Sequence, residues 1–194
     1  MKTYLRFGAL SILLIAVFCG IGSAAGNFDV NANVLAGIQF PIPEKDAEKE
    51  YLGLLGKGAF SLSQVSAHVL IVEVFSMYCP VCQREAPVVN ELYTSIDNDA
   101  TLKKNVKLIG IGIGNTPFEV EVYRKKFNVL FPLFADDSLE LQKISNERFR
   151  TPTFLLIKLG RDSTVRVSKI HVGAIKNIAE FFREVKELSE TDRR

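Results

Sequence analysis

The sequence predicts an α/β protein built on a mixed central sheet with helices on both faces, preceded by an N-terminal extension. Three observations carry this. Apolar runs rich in β-branched residues, Val69–Phe75 and Val106–Ile113, have the composition of strands covered on both sides. Amphipathic helical periodicities lie between the strands. The pattern closes on two strands joined by a tight turn and one more amphipathic helix, an order that puts parallel and antiparallel neighbours in one sheet. At 194 residues and 47% hydrophobic content the chain suffices for one well-packed domain and is short for two.

The first 25 residues follow a different logic. Lys2 and Arg6 precede an apolar run over 10–18, and small residues follow at Gly22, Ser23, Ala24 and Ala25. This is the pattern of a secretory signal peptide over residues 1–25, cleaved before Gly26, and it predicts a periplasmic or other extracytoplasmic protein. The competing reading is an uncleaved anchor, because the apolar stretch continues through Ile21. A lipid-modified Cys19 ranks below both, since Phe18 stands where lipoprotein signals place a small residue. Without Lys2 and Arg6 the 24 basic residues fall to 22, equal to the 22 acidic ones. An interspersed, balanced surface lacks the clustered basic face that nucleic acid requires. Membrane contact is expected only if the leader is retained.

Residues 26–59 read as an extension, irregular over 26–50 with a short strand near 38–40, where Pro41 and Pro43 stop any helix. The domain proper is expected over 60–190. The strand Val69–Phe75 runs into the cysteines. Glu85, Val88, Val89, Leu92, Tyr93 and Ile96 then recur at helical spacing, and Pro87 should kink that helix. A strand at Val106–Ile113, a helix at 118–127, a strand at 129–135 and a short helix at 138–145 follow. Thr153–Leu159 and Val165–Val172 form the hairpin around Gly160, Arg161 and Asp162. A helix over 174–188 buries Ile178, Phe181, Phe182, Val185 and Leu188.

Cys79, Pro80, Val81 and Cys82 fall where strand gives way to helix. If the leader is removed they are the only cysteines left, and a bridge between them closes too small a loop to stabilise the chain. Their purpose is then chemical. At a helix N-terminus, unpaired amides and the helix dipole favour the Cys79 thiolate, the attacking species in disulfide exchange. Cys82, one turn deeper, can resolve the mixed disulfide. The alternative, half of a zinc site, needs two further ligands, and neither His68 nor His171 has the spacing for it. Both histidines read as structural, and no metal or other cofactor is expected.

The segment Phe75-Ser-Met-Tyr-Cys-Pro-Val-Cys-Gln-Arg-Glu-Ala-Pro87 resembles the active site of thioredoxin-like thiol:disulfide oxidoreductases of the TlpA/ResA type, in the AhpC/TSA-redoxin group. There C-x-x-C-x-x-E-x-P opens a kinked helix, and Glu85 and Pro87 match. The likeness runs from Phe60 to Leu188, including an extra strand and helix between Asn105 and Asp137 and a His-x-Gly, here His171 and Gly173. It implies the thioredoxin fold. The chain departs from the pattern at Tyr78, where the family usually has Trp, and at Pro80, where reductases often place proline second. Tyr78 keeps an aromatic surface for partners. The proline order leaves the direction of electron flow open between reductase and disulfide-forming oxidant.

The resemblance implies roles for further residues. Glu73, six residues before Cys79, stands where many thioredoxins carry a buried acid; burial would raise its pKa and let it take the Cys82 proton. Its alternative is a strand-end glutamate reaching solvent. Glu85 stands where ResA-type proteins tune thiol acidity, against the alternative of a surface carboxylate. Thr151-Pro152 matches the cis-proline that faces the cysteines, shields them from stray metals and, with Tyr78 and Pro80, offers a surface on which a client strand can pair. The implied activity is a monomeric thiol:disulfide oxidoreductase, a reductase in the manner of cytochrome c maturation. Its partners are protein thiol and disulfide clients and a membrane or periplasmic thiol electron donor. A peroxiredoxin-like peroxide reductase is the alternative enzyme, although Val72 and Ser76 stand where that signature needs Pro and Thr. A binding module without turnover is the alternative outside enzymes.

Overall fold

The computed structural model describes residues 32–144 and 149–191. The leader, the possible cleavage site and Cys19 lie outside these residues. The central sheet has five strands: β3 (Val69–Phe75), β4 (Val106–Ile113), β5 (Leu133–Asp136), β6 (Thr153–Leu159) and β7 (Val165–Val172). They lie in the order β5-β4-β3-β6-β7. β3, β4 and β5 are parallel; β6 runs antiparallel to β3, and β7 antiparallel to β6. A two-stranded sheet, β1 (Gln39–Pro41) with β2 (Ala59–Ser61), stands apart.

Residue alternation along β3 divides the core. Ile71 and Phe75 face α3 (Pro80–Asn98), α5 (Pro117–Phe127) and α7 (Ile178–Glu190), in a cluster with Val89, Tyr123 and Phe181. Leu70, Val72 and Val74 face the opposite side, with Leu35 of α1 (Ala32–Gly37), Leu52 of α2 (Asp46–Leu52) and Leu141 of α6 (Glu140–Ile144). The central strand is therefore buried on both faces, and helices cover the sheet on both sides as expected.

The segment expected to be irregular before residue 50 instead carries α1 and α2. Pro41 and Pro43 break the chain only between them. α2 has local support from the Lys45–Glu48 and Lys49–Asp46 pairs, and Gly53 ends it in the left-handed region, φ 70°. Three other boundaries move for identifiable reasons. β5 begins at Leu133 because Pro132 has no N–H to donate; its carbonyl accepts from Gly110, and the ladder starts one residue later. α7 begins at Ile178 because the Asn177 side chain accepts from the Glu180 amide and caps it there. α6 begins at Glu140, where Asp136 accepts from the Glu140 and Leu141 amides. A short helix, α4 (Leu102–Asn105), leads into β4.

The N-terminal segment closes the sheet face opposite α3. Phe40, Phe60 and Phe134 form an aromatic cluster, with Phe60 edge-on to Phe134 at 5.3 Å between centroids. If this segment is part of the core, Phe40→Ala lowers the free energy of unfolding by about 3–5 kcal/mol in urea titration. A loss under about 1 kcal/mol would show that it only decorates the domain.

Candidate active site

Cys79 caps α3. Its backbone is extended (φ −84°, ψ 112°), and Pro80 occupies the first helical turn, where a missing N–H costs nothing. The sulfur does what a serine or aspartate oxygen does at other helix starts: it accepts from the Cys82 amide at 3.3 Å. Both cysteines are free thiols, so this is the dithiol form. The Cys79 S–H points to the Thr151 carbonyl, 3.2 Å away, and the Thr151–Pro152 bond is cis, as the resemblance implies. Pro152 is buried and Thr151 half-buried.

The two sulfurs have opposite acidities. Burial is the largest influence on Cys79 and opposes its ionisation. Hydrogen bonds from the Cys82 thiol, from Thr151 and from the Cys82 and Val81 amides outweigh burial, leaving Cys79 below the ordinary thiol value. The Thr151 carbonyl contact favours the protonated thiol, one acceptor set against several donors. Cys82 is fully buried; burial first, then the hydrogen bond to Cys79, raises its thiol far above the ordinary value, and the Cys79 and Glu73 charges add to this.

Glu73 lies on the α3 side of β3 and is 1% exposed, so it does not reach solvent. Its Oε1 has no hydrogen-bond partner among the described residues. Burial, then the charges of Glu85 and Cys79, push its carboxyl up to about 8. Glu85 is also buried rather than on the helix surface. Its Oε1 accepts from the Ile175 amide at 2.6 Å, which pins the loop before α7 to the active-site helix.

Around the cysteines, Tyr78 and Pro80 are exposed, Tyr78 by 65%. The Tyr78 hydroxyl donates to Glu119. The same Glu119 completes a capping box with Thr116 at the start of α5, accepting from the Thr116 amide at 2.7 Å. Four residues that sequence reasoning missed complete the surroundings: Glu119, Asn115, Gln83 and Tyr123. The Thr116-Pro-Phe-Glu119 spacing is a capping signature and could have revealed Glu119. Nothing in the sequence marks Asn115, whose Oδ1 accepts from the Met77 amide at 2.8 Å, or Gln83, whose Nε2 donates to the Met77 carbonyl at 2.7 Å. Tyr123 stacks on Phe75 and donates to the Cys82 carbonyl at 2.9 Å. His68 precedes β3, at the opposite end of that strand from the cysteines, and His171 meets the Ala174 carbonyl and packs on Phe154 and Phe181. No group of metal-ligating side chains occurs among the described residues.

A dithiol at the start of the helix after the central strand, faced by a cis-proline, defines a protein of the thioredoxin fold with a Cys-x-x-Cys pair. The Redoxin family model matches residues 43–183, and the chain belongs to that family. It is similar to the thiol-disulfide oxidoreductase ResA of Geobacillus kaustophilus, 26% identical over 99 residues that cover 51% of this chain and 54% of that protein. It is also similar to ResA of Bacillus cereus, 23% identical over 164 residues, 82% of this chain and 86% of that one. The chain thus spans about half the length of the first relative and most of the second. Among solved structures, MTB DsbF in mixed oxidised and reduced forms superposes with a TM-score of 0.57 at 17% identity, over 82% of this chain and 99% of that one. This last likeness is one of fold.

The raised Glu73 carboxyl makes stability depend on pH. Between its ordinary value of 4.5 and about 8 the folded chain keeps the proton and the unfolded chain releases it, so stability falls as pH rises. In urea titrations, the stability of the parent relative to Glu73→Gln should fall by about 1.4 kcal/mol per pH unit across that window and level off on either side. A difference that does not change with pH would mean that Glu73 is ionised throughout.

Proposed function

We propose that the protein is an exported thiol:disulfide oxidoreductase that reduces protein disulfides through Cys79 and Cys82. The observation that carries this reading is the pair of opposed acidities: an accessible sulfur that ionises easily and a buried one that does not. In the first step the Cys79 thiolate attacks a client disulfide, a Cys79–client bond forms, and one client thiolate leaves. Cys82 then attacks the Cys79 sulfur and releases the second client thiolate. The client gains two electrons, and the protein is left with a Cys79–Cys82 disulfide for a thiol donor to reduce.

Environment supports the second step. Once Cys79 is in a mixed disulfide its negative charge is gone, and with it one of the influences that raise Glu73. The carboxylate becomes more available at the moment Cys82 has to lose a proton. The Thr151 carbonyl loses its S–H donor when Cys79 ionises to attack, and is then open to an amide of the client backbone. Tyr78 and Pro80 supply the exposed surface beside that contact.

The reducing direction rests on what stabilises Cys79. Among the described residues, the influences that favour its thiolate are hydrogen bonds from Cys82, Thr151 and Val81, and the acidic side chains of Glu73 and Glu85 share the site. A strong oxidant instead stabilises its reduced thiolate heavily. The potential of the pair should fall nearer the thioredoxin value of about −270 mV than the DsbA value of about −120 mV, measured by equilibration with glutathione and mass spectrometry. A value at the oxidising end would reverse the direction. Export follows from the charged, apolar and small-residue pattern of residues 1–25, and clients and donor are protein thiols and disulfides met outside the cytoplasm. Cys82→Ser should accumulate a mixed disulfide with a disulfide-bearing peptide at Cys79, while Cys79→Ser forms none; adducts at position 82 in the latter would contradict the order of attack.

A further inference from the structure

The loop that delivers Cys79, residues 76–79, holds itself together poorly. The Cys79 amide donates to the Ser76 carbonyl at 3.0 Å and the Tyr78 amide reaches Ser76 Oγ at 3.4 Å. The Met77 peptide groups have no partner within the loop. Two side chains from outside take them: Gln83 binds the carbonyl, and Asn115, two residues past β4, accepts from the amide.

Asn115 is fully buried, a costly place for an amide unless its hydrogen bonds are made. They are made. Its own N–H donates to the Gly112 carbonyl at 3.2 Å and its Nδ2 to the Gly114 carbonyl at 3.2 Å, leaving Oδ1 for Met77. Two glycines make room for it. Gly114 has φ +63°, the left-handed turn that brings residue 115 back under the loop. A Cβ on Gly112 would come within 2.9 Å of Val120 and 3.2 Å of Asn115 Oδ1. Among the residue types that could accept here, the choice of amide also has a charge consequence. An aspartate would add a negative charge behind a sulfur that must itself become negative, in a site that already holds Glu73 and Glu85.

We propose that Asn115 is a positioning residue for the redox centre: by fixing the Met77 amide it sets the turn that holds the Cys79 sulfur over the Cys82 amide. This deepens the oxidoreductase reading above and names a residue that acts through the loop without touching a client. The carbonyl contact from Gln83 is the second half of the same clamp.

Two measurements test it. In the parent protein, hydrogen exchange followed by NMR should show a Met77 amide that exchanges at least tenfold more slowly than the Tyr78 amide, whose contact is local and long. In Asn115→Leu, which fills the space without an acceptor, the pH at which Cys79 reacts half-maximally with iodoacetamide should rise by about one unit, while the far-ultraviolet circular dichroism stays that of the parent. An alkylation profile unchanged in the folded variant overturns the proposal. So does rapid exchange at Met77 in the parent, a result that stands even if the variant fails to fold. Neither readout needs a client, so a parent that exchanges no disulfides would sink the functional reading and leave the assignment of Asn115 to be decided by these two results.

Discussion

A single contact, from the Cys82 amide to the Cys79 sulfur, sets the chemistry of this molecule. A helix start leaves amides unpaired, and most helices satisfy one of them with an oxygen from Ser, Thr, Asp or Asn. Here the cap is a sulfur, the one proposed as the nucleophile. The amide that needs an acceptor and the sulfur that needs stabilisation as an anion answer each other, at 3.3 Å. The surrounding structure keeps this contact in place. β3 brings the chain to the spot, Pro80 starts the helix at once, and side chains from the segment between β4 and α5 and from α3 bond the loop before it.

Placing the second sulfur one turn deeper separates two nearly identical groups by environment alone. Cys79 is half-exposed among donors; Cys82 is buried, next to a carboxyl that is itself buried. Coupling between these groups gives the site a sequence of states. Burial holds a proton on Glu73 and on Cys82 and the Cys79 charge adds to this; in the proposed mechanism, capture of Cys79 by a client removes that addition. The two-step order then needs no moving part, because neutralising one sulfur makes its neighbour easier to ionise. Glu85 contributes its charge to this coupling and, through Ile175, ties the active-site helix to the segment before α7.

How much of this could be read in advance depended on whether a feature is local. β3, β4, β6 and β7 are continuous patterns and appear at the predicted residues. Glu73 was visible as the one charge in an apolar strand, and Cys79 was expected at the start of a helix. The failures share another cause. Residues 129–131 are as apolar as a strand, with Val129 and Phe131 buried and Leu130 exposed, yet Pro132 keeps them out of the ladder. The helices α1 and α2 were obscured by the prolines between them, although the charges and Gly53 of α2 were present in the sequence. Asn115 lies 38 residues from the amide it binds, and a lone polar residue after a strand carries no mark of a distant partner. Position relative to other elements, rather than residue type, gave it a role.

The proposed exchange requires an acidic Cys79 beside a reluctant Cys82. Its most direct test is an ultraviolet thiolate titration of the reduced parent protein. Two well-separated steps are expected, the first below about 8.5, the value of a free cysteine, and assigned to Cys79 by its loss in Cys79→Ser; the second should lie far higher. A single step at the free-cysteine value, with both sulfurs titrating together, would contradict the account.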